Sequence, residues 1–292
     1  MTEALARAWI ALINTTAGWS VKARSRLAGL IGELLWLLVR PRRRITLANL
    51  RACFPQMTEV QRRALGRRLF RNIARSVLDH SVLWRGSRAA VEQLVRVEGA
   101  EHLADPANRP LILLAPHFVG LDAGGLRVNT LVRGVSIYAM QSNAAWDAQL
   151  LAGRRRFSDP LLIPRRGAAE LKEVLRAMKA GLPFYYLPDM DNGPVNSIFV
   201  PFFGVPAATI PMVSRLARVN GARVVMAVTE MTADGYLLHF EPPWANFPGA
   251  SVEEDTERMN REIERWALRL PDQYLWTHKR FKTRPPGAPP WY

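Results

Sequence analysis

A chain of 292 residues, 49% hydrophobic and 22% charged, has the balance of a folded protein, which excludes a disordered or polytopic membrane class. Its formal charge of +15 demands a partner or surface that tolerates it: nucleic acid, an anionic lipid leaflet, an acidic protein or a phosphorylated substrate. Lysine is confined to Lys22, Lys172, Lys179, Lys279 and Lys282, so the excess is arginine, whose planar fork suits phosphate. The single cysteine, Cys53, excludes an intrachain disulfide and suits a reducing compartment. Beside Phe54 and Pro55 it reads as a small buried hydrophobe.

From the N-terminus, WIALINTTAGW carries Trp9 and Trp19, and residues 27–39 form a nearly continuous apolar run, with Lys22, Arg24 and Arg26 between the two. Each run is shorter than the roughly 20 residues of a membrane span, so a single span would need both. No small-residue cleavage pattern follows, and a secretory signal is not expected. Arg40, Arg42, Arg43 and Arg44 come next. Apolar helix, tryptophan and basic cluster together read as helices lying at an anionic membrane surface. The other reading is a helix of the soluble core.

Residues 58–85 carry Leu65, Leu69, Ile73, Val77 and Leu78 at helical spacing, and Thr58 with Gln61 offers a capping box. The opposite face collects Arg62, Arg63, Arg67, Arg68, Arg71 and Arg75, as a solvated face or as a patch meeting lipid or carrier. From about residue 95 strands and helices alternate. Residues 110–115, 134–140 and 184–187 read as strands, and 168–180, 211–219 and 252–270 as helices. Residues 223–232 and 236–240 form a hairpin around Asp234-Gly235. The pattern predicts an α/β fold, a mixed sheet covered by helices, at 91–292, preceded by a helical membrane-associating region at 1–90.

His117 stands just past the 110–115 strand, in APHFVGLDAGG, where α/β sheets collect their ligands. Asp122 follows, too far round a straight helix at about 100° per residue to share a face with it. The two meet only if His117 precedes the helix and the chain turns at Val119-Gly120. A carboxylate on one imidazole nitrogen leaves the other free to take a proton from a hydroxyl. A histidine and aspartate at this spacing also occur as a packed core histidine and a helix-start aspartate. No G-x-S-x-G elbow is present, so a base acting directly on a bound hydroxyl is the economical chemistry. Arg165 and Arg166 are candidates to stabilise an oxyanion or hold a phosphate. Asp189 and Asp191 form a D-x-D pair that can bind a metal in some enzymes. The preferred reading has them ordering the site arginines and the Asn192-Gly193 turn, with no metal and no cofactor. Of the other histidines, His80 reads as surface or packing, His102 as part of a turn and His239 as a strand residue.

Four more segments complete a pattern: IPRRG at 163–167, LPDMDNG at 187–193, FVPFFG at 199–204 and WTHKRFKTRP at 276–285. Together with RITLANLRACFP at 44–55, these resemble the bacterial lipid A late acyltransferases, the lauroyl and myristoyl transferases of lipopolysaccharide synthesis. The resemblance runs over most of the chain, and the C-terminal motif is its most specific piece. It implies a glycerolipid-acyltransferase-like fold and His117 as general base with Asp122 as its partner, where the family often has Glu. It also implies an acyl–acyl carrier protein donor, a lipid A precursor of the Kdo-lipid IVA type as acceptor, and the cytoplasmic face of the cell inner membrane. Within the C-terminal motif, His278, Arg280, Lys282 and Arg284 become candidates for contact with substrate. A glycerolipid acyltransferase of lysophosphatidic acid type would share the dyad, but its F-P-E-G-T-R-like segment is replaced here by LPDMDNG. A non-catalytic basic protein is the reading from another class. No zinc spacing, RNA-binding signature or helix-turn-helix pattern supports a nucleic acid partner.

Overall fold

The computed structural model describes residues 2–165 and 169–292. Four helices open the chain: α1 (Glu3–Thr15), α2 (Val21–Leu38), α3 (Arg40–Cys53) and α4 (Glu59–Arg85). Thr2, Ser20 and Thr58 cap α1, α2 and α4 by accepting from backbone N–H groups, and Thr58 with Gln61 closes the capping box expected from the sequence. A short α5 (Arg88–Leu94) then leads into the alternating region. That region runs β1 (Val95–Glu98), α6 (Ala100–Ala104), β2 (Leu111–Leu114), α7 (Leu121–Leu131), β3 (Val135–Tyr138), α8 (Ala144–Arg154) and β4 (Leu161–Pro164). It continues through α9 (Ala169–Lys179), β5 (Phe184–Tyr186), β6 (Ile198–Phe202), β7 (Val205–Thr209), α10 (Met212–Asn220), β8 (Arg223–Thr232), β9 (Gly235–Phe240) and α11 (Val252–Arg269).

Seven strands form one sheet in the order β1-β9-β8-β2-β5-β3-β4, parallel throughout except for the β8–β9 hairpin. β6 and β7 make a separate hairpin that takes in the FVPFFG segment. β2 lies inside the sheet, and Leu111 to Leu114 are fully buried, as a continuous apolar run between parallel neighbours requires. Its partner β5 pairs Ile112 with Phe184 and Leu114 with Tyr186. Ala115 continues that ladder by donating to the Tyr186 carbonyl at 2.8 Å. The same register, carried two steps further, brings His117 opposite Asp189.

The N-terminal helices share the core of the sheet: Ile10, Ile13, Leu50, Phe54, Leu65 and Leu69 belong to the same apolar cluster as β2, β8 and α11. α2 lies directly on α4, and a Cβ at Gly32 would stand only 2.5 Å from the Cα of Arg71. Contact that close needs glycine. It also changes the reading of the arginine face. Arg67 and Arg71 both grip Glu33 of α2, Arg62 donates to the Phe54 carbonyl at 2.9 Å, and Arg75 is buried. Arg63, Arg67, Arg68 and Arg71 all stay exposed, each beside a carboxylate, while Arg62 and Arg75 turn inward.

Arg24, read as part of the basic interruption between two apolar segments, lies inside α2 and is buried. It meets Asp79 at 2.6 Å. Asp79, fully buried, also accepts from Arg75 at 3.3 Å and from the Tyr236 hydroxyl at 2.8 Å, so one carboxylate joins α2, α4 and β9. The outward faces stay apolar. Leu5, Trp9 and Leu12 of α1 and Leu30, Leu34, Leu37 and Leu38 of α2 are exposed. Among the described residues no helix is long and apolar enough to cross a membrane, and residues 16–20 separate the two runs. Removing one partner of a buried charge cluster strands the others. Asp79→Ala is therefore expected to cost about 3–5 kcal/mol, read as a lowered midpoint in urea unfolding.

Candidate active site

His117 sits in the short turn between β2 and α7. Gly120, which ends that turn, must be glycine, because a Cβ there would stand 2.6 Å from the Thr229 carbonyl oxygen on β8. The His117 carbonyl accepts from the Leu275 N–H at 2.9 Å, and Val119 donates to the Gln273 carbonyl at 2.8 Å. Asp189, three residues past the end of β5, accepts from the His117 backbone N–H at 3.0 and 3.2 Å and from its ring Nδ1 at 2.7 Å. With a carboxylate on Nδ1 the imidazole carries its proton there, and Nε2 is left unprotonated to act as a base. Burial alone would raise the Asp189 carboxyl. The attraction of His117 in its protonated form and its hydrogen bonds, with the Tyr274 hydroxyl, outweigh it and hold the group well below the usual carboxylate range.

The structure thus corrects the pairing expected from the sequence. His117 does precede the helix and Asp122 does open it, and both line one cavity, but no hydrogen bond links them among the described residues. Asp122 instead accepts from Arg154 of α8 at 3.1 Å and meets His80 Nε2 of α4 at 3.4 Å. The His80 Nδ1–H donates in turn to the Ser76 carbonyl at 2.8 Å. Burial of His80 and the partly enclosed setting of Asp122 work against both charges, yet their mutual attraction prevails. The His80 pKa is raised, and Asp122, helped by Arg154, falls well below the usual range. The physical reason is register: the β2–β5 ladder delivers Asp189 to the imidazole, and the first turn of α7 aims Asp122 at the α4–α8 side. Neither His80 nor Arg154 stood out in the sequence, since nothing local marks partners that lie 42 residues before and 32 residues after Asp122.

The C-terminal motif closes the other flank. The His278 ring stands edge-on to His117, with centroids 4.9 Å apart at 76°. It is placed there from α3. Asn49 donates to the Trp276 carbonyl at 2.8 Å and the His278 carbonyl at 2.7 Å, and Arg42 donates to the Thr277 carbonyl at 3.1 Å. Phe54 packs edge-on to Trp276 at 5.5 Å. RITLANLRACFP and WTHKRFKTRP, read separately, are the two halves of one joint.

The remaining candidates divide. Arg165 donates to the Asn192 side chain at 2.6 Å and lines the cavity, whereas Arg166 lies outside the described residues. Asp191 orders the turn as expected, accepting from Gly193 N–H at 3.0 Å, and also clamps Thr283 through its backbone at 2.6 Å and hydroxyl at 2.7 Å. Arg280 is corrected from a substrate contact to a packing role. It is buried and donates to the Ala208 carbonyl and the Thr209 hydroxyl, both at 2.8 Å, so its fork is engaged inside the β6–β7 region. Arg284 likewise donates to the Pro206 carbonyl at 3.1 Å and stacks over Trp291. Lys282 is exposed, 3.4 Å from the Asp191 carbonyl.

From His117 a cavity of about 270 Å³ runs between α7 and the β3–β5 part of the sheet, past Leu126, Val128, Ile137 and Leu162 to Gly134 and Pro183. A histidine–carboxylate pair at the strand ends, beside an elongated apolar cavity, is the arrangement of an α/β enzyme that acts on a substrate with a hydrocarbon part. The chain belongs to the bacterial lipid A biosynthesis acyltransferases, whose family model matches residues 3–283. It is similar to the lipid A biosynthesis lauroyltransferase of Escherichia coli (strain K12), 33% identical over 90% of this chain and 86% of that protein. It is 30% identical to the palmitoleoyltransferase of the same strain, over 88% and 84% of the two chains, and 30% identical to its myristoyltransferase, over 91% and 83%. Among solved structures, the 1-acyl-sn-glycerophosphate acyltransferase of Thermotoga maritima aligns at TM-score 0.37 and 16% identity, covering 85% of this chain and 97% of that one.

Burial, and after it the charge of His117, pushes the His278 pKa from 6.5 down to about 4. The unfolded chain takes up this proton near 6.5 and the folded chain only near 4, so acid favours unfolding between those values. Stability is expected to fall as pH drops through this window. His278→Phe should flatten that part of a denaturant-unfolding series taken against pH.

Proposed function

We propose that the protein moves a fatty acyl chain from acyl–acyl carrier protein to a hydroxyl of a lipid A precursor of the Kdo-lipid IVA type, with His117 as general base. The observation that carries the reading is the Nδ1 bond to Asp189, which leaves Nε2 free at the head of an apolar cavity. The acceptor hydroxyl oxygen attacks the thioester carbonyl carbon while its proton passes to Nε2. The resulting oxyanion needs fixed positive charge, and Arg154, held by Asp122, and Arg165, held by Asn192, stand along the same cavity. Collapse of the tetrahedral intermediate breaks the C–S bond, and the imidazolium returns its proton to the departing carrier thiolate. Asp189 stays ionised and stabilises the imidazolium between the two transfers. Cys53 is no covalent nucleophile on this route, because burial pushes its thiol far up and away from the thiolate form.

The apolar faces of α1 and α2, followed by exposed Arg40, Arg42 and Arg44, support a seat on an anionic membrane, at the cytoplasmic face of the inner membrane. The same cations suit a phosphorylated acceptor and an acidic carrier. Double substitution of Leu34 and Leu37 by Asp is expected to release the protein from phosphatidylglycerol-containing vesicles in a flotation assay while its melting temperature holds.

The reaction is tested with purified protein, acyl–acyl carrier protein and a Kdo-bearing tetra-acylated lipid A precursor, with lysophosphatidic acid in parallel. Wild type should add one acyl chain to the lipid A precursor, and His117→Ala should add none. Asp189→Asn should retain its fold and lose on the order of 10³–10⁴-fold in kcat, as expected when an orienting carboxylate is neutralised. Full activity of Asp189→Asn alongside an inactive Asp122→Asn would return the orienting role to Asp122. Transfer to lysophosphatidic acid alone would place the enzyme on the glycerolipid branch.

A further inference from the structure

The paired glycines of APHFVGLDAGG do different work. A Cβ at Gly124 would fall 1.9 Å from the Thr229 hydroxyl oxygen, so this glycine lets α7 lie against β8. Gly125 faces the other way, into the cavity. A Cβ there would meet only the Tyr185 ring, at 3.5 to 3.8 Å, which is ordinary contact. Packing therefore does not demand glycine at 125, and glycine lowers helix stability by about 1 kcal/mol relative to alanine. Tyr185 cannot readily yield, because its hydroxyl donates to the Leu121 carbonyl at 3.3 Å and its ring is held across the sheet. Anything larger than a methyl group at 125 must grow along that ring into the open space.

α7 starts beside His117 and runs back along the strands, so depth in the cavity increases along the helix. At 1.5 Å per residue Gly125 lies about 6 Å beyond Leu121, and Asn129 about 12 Å beyond it. Val128, Asn129, Gly134 and Pro183 line the far end, and Asn129 is tied there by donating to the Arg154 carbonyl at 3.0 Å. Gly125 thus stands midway between the reacting end and the floor on the helix wall of the cavity, whose other wall includes Ser136 of β3.

We propose that this cavity receives the acyl chain of the donor and that the missing side chain at Gly125 sets how long a chain it accepts. The proposal rests on the acyl-transfer reading above but is open to measurement without it. Saturated fatty acids bind in the same space, and each methylene denied burial weakens binding about fourfold.

The test compares wild type, Gly125→Ala, Gly125→Leu and Ser136→Leu, with thermal melts to confirm folding. Ser136→Leu narrows the same cavity from β3, on the far side from the reacting end, if the helix does not tolerate leucine. Binding of decanoic and myristic acid is measured by titration calorimetry, and transfer is measured from the matching acyl–acyl carrier proteins. Wild type and Gly125→Ala should bind myristic acid more tightly than decanoic acid. Either leucine variant should lose at least about tenfold for myristic acid and stay within about twofold for decanoic acid, with transfer shifted in the same direction. Equal chain-length profiles for wild type and both leucine variants would overturn the proposal. The expected binding pattern with no transfer by wild type would keep the proposal and remove the acyl-transfer reading instead.

Discussion

One carboxylate, that of Asp189, fixes both the backbone and the ring of His117, and much of the site depends on this. A side chain held only through its ring can still swing about its own backbone. Here the N–H and Nδ1 bond to the same group, so peptide and imidazole move together or not at all. The buried sheet beneath gives the restraint its stiffness, because β2 and β5 place the two residues opposite each other by register alone. The carbonyl side of His117 then seats the C-terminal motif through Leu275, and Asn49 seats the same motif from α3. Segments from both ends of the chain are thereby anchored to one turn. The N-terminal helices share the core of the sheet and help to hold the candidate site rather than standing apart from it.

Elements whose signal is local were legible in the sequence. The capping box of α4, the β2 run, the β8–β9 hairpin at Asp234-Gly235 and the amphipathic α11 all stand where pattern and turn chemistry put them. His117 was legible too, because a histidine just past a buried strand occupies a place defined by the strand itself. Its partner was not. Asp122 is close in sequence and Asp189 is 72 residues away, yet adjacency along the chain says little where a parallel sheet brings distant strand ends together. The same applies to the β6–β7 hairpin, whose Pro201 and Pro206 weaken any strand pattern, and to His80, which reaches Asp122 from a helix in the other half of the fold.

The charge of the chain was read too simply as a coat awaiting phosphate. Several arginines are internal fasteners, Arg24 and Arg75 on Asp79 and Arg280 on the β7 backbone and Thr209, and at the surface Arg67 and Arg71 tie α4 to Glu33 of α2. Arginine suits this work because five donors on a rigid plane satisfy several acceptors at once with little loss of side-chain freedom. Composition therefore overstates the positive surface, and what remains outward is concentrated. Arg40, Arg42 and Arg44 lie exposed on α3 next to the leucine faces of α1 and α2, and Arg42 reaches the residue beside His278. The exposed cations, the leucine faces and the candidate site are in this way joined through one helix.

This proximity bears on how the proposed reaction would bring its two substrates together. In that reading the acceptor's headgroup chemistry and the donor's chain meet at His117 from different directions, one polar and one apolar. The cation-bearing first turn of α3 and the C-terminal motif occupy one side of the imidazole, and the cavity beneath α7 occupies the other. In that reading tight packing of α7 on β8 at Gly124 and open space at Gly125 are both needed, since a helix pushed outward would unseat Asp122 and a filled cavity would leave a donor chain no room. Two successive residues without side chains thus satisfy two opposite demands on a single helix, close contact on one face and vacancy on the next.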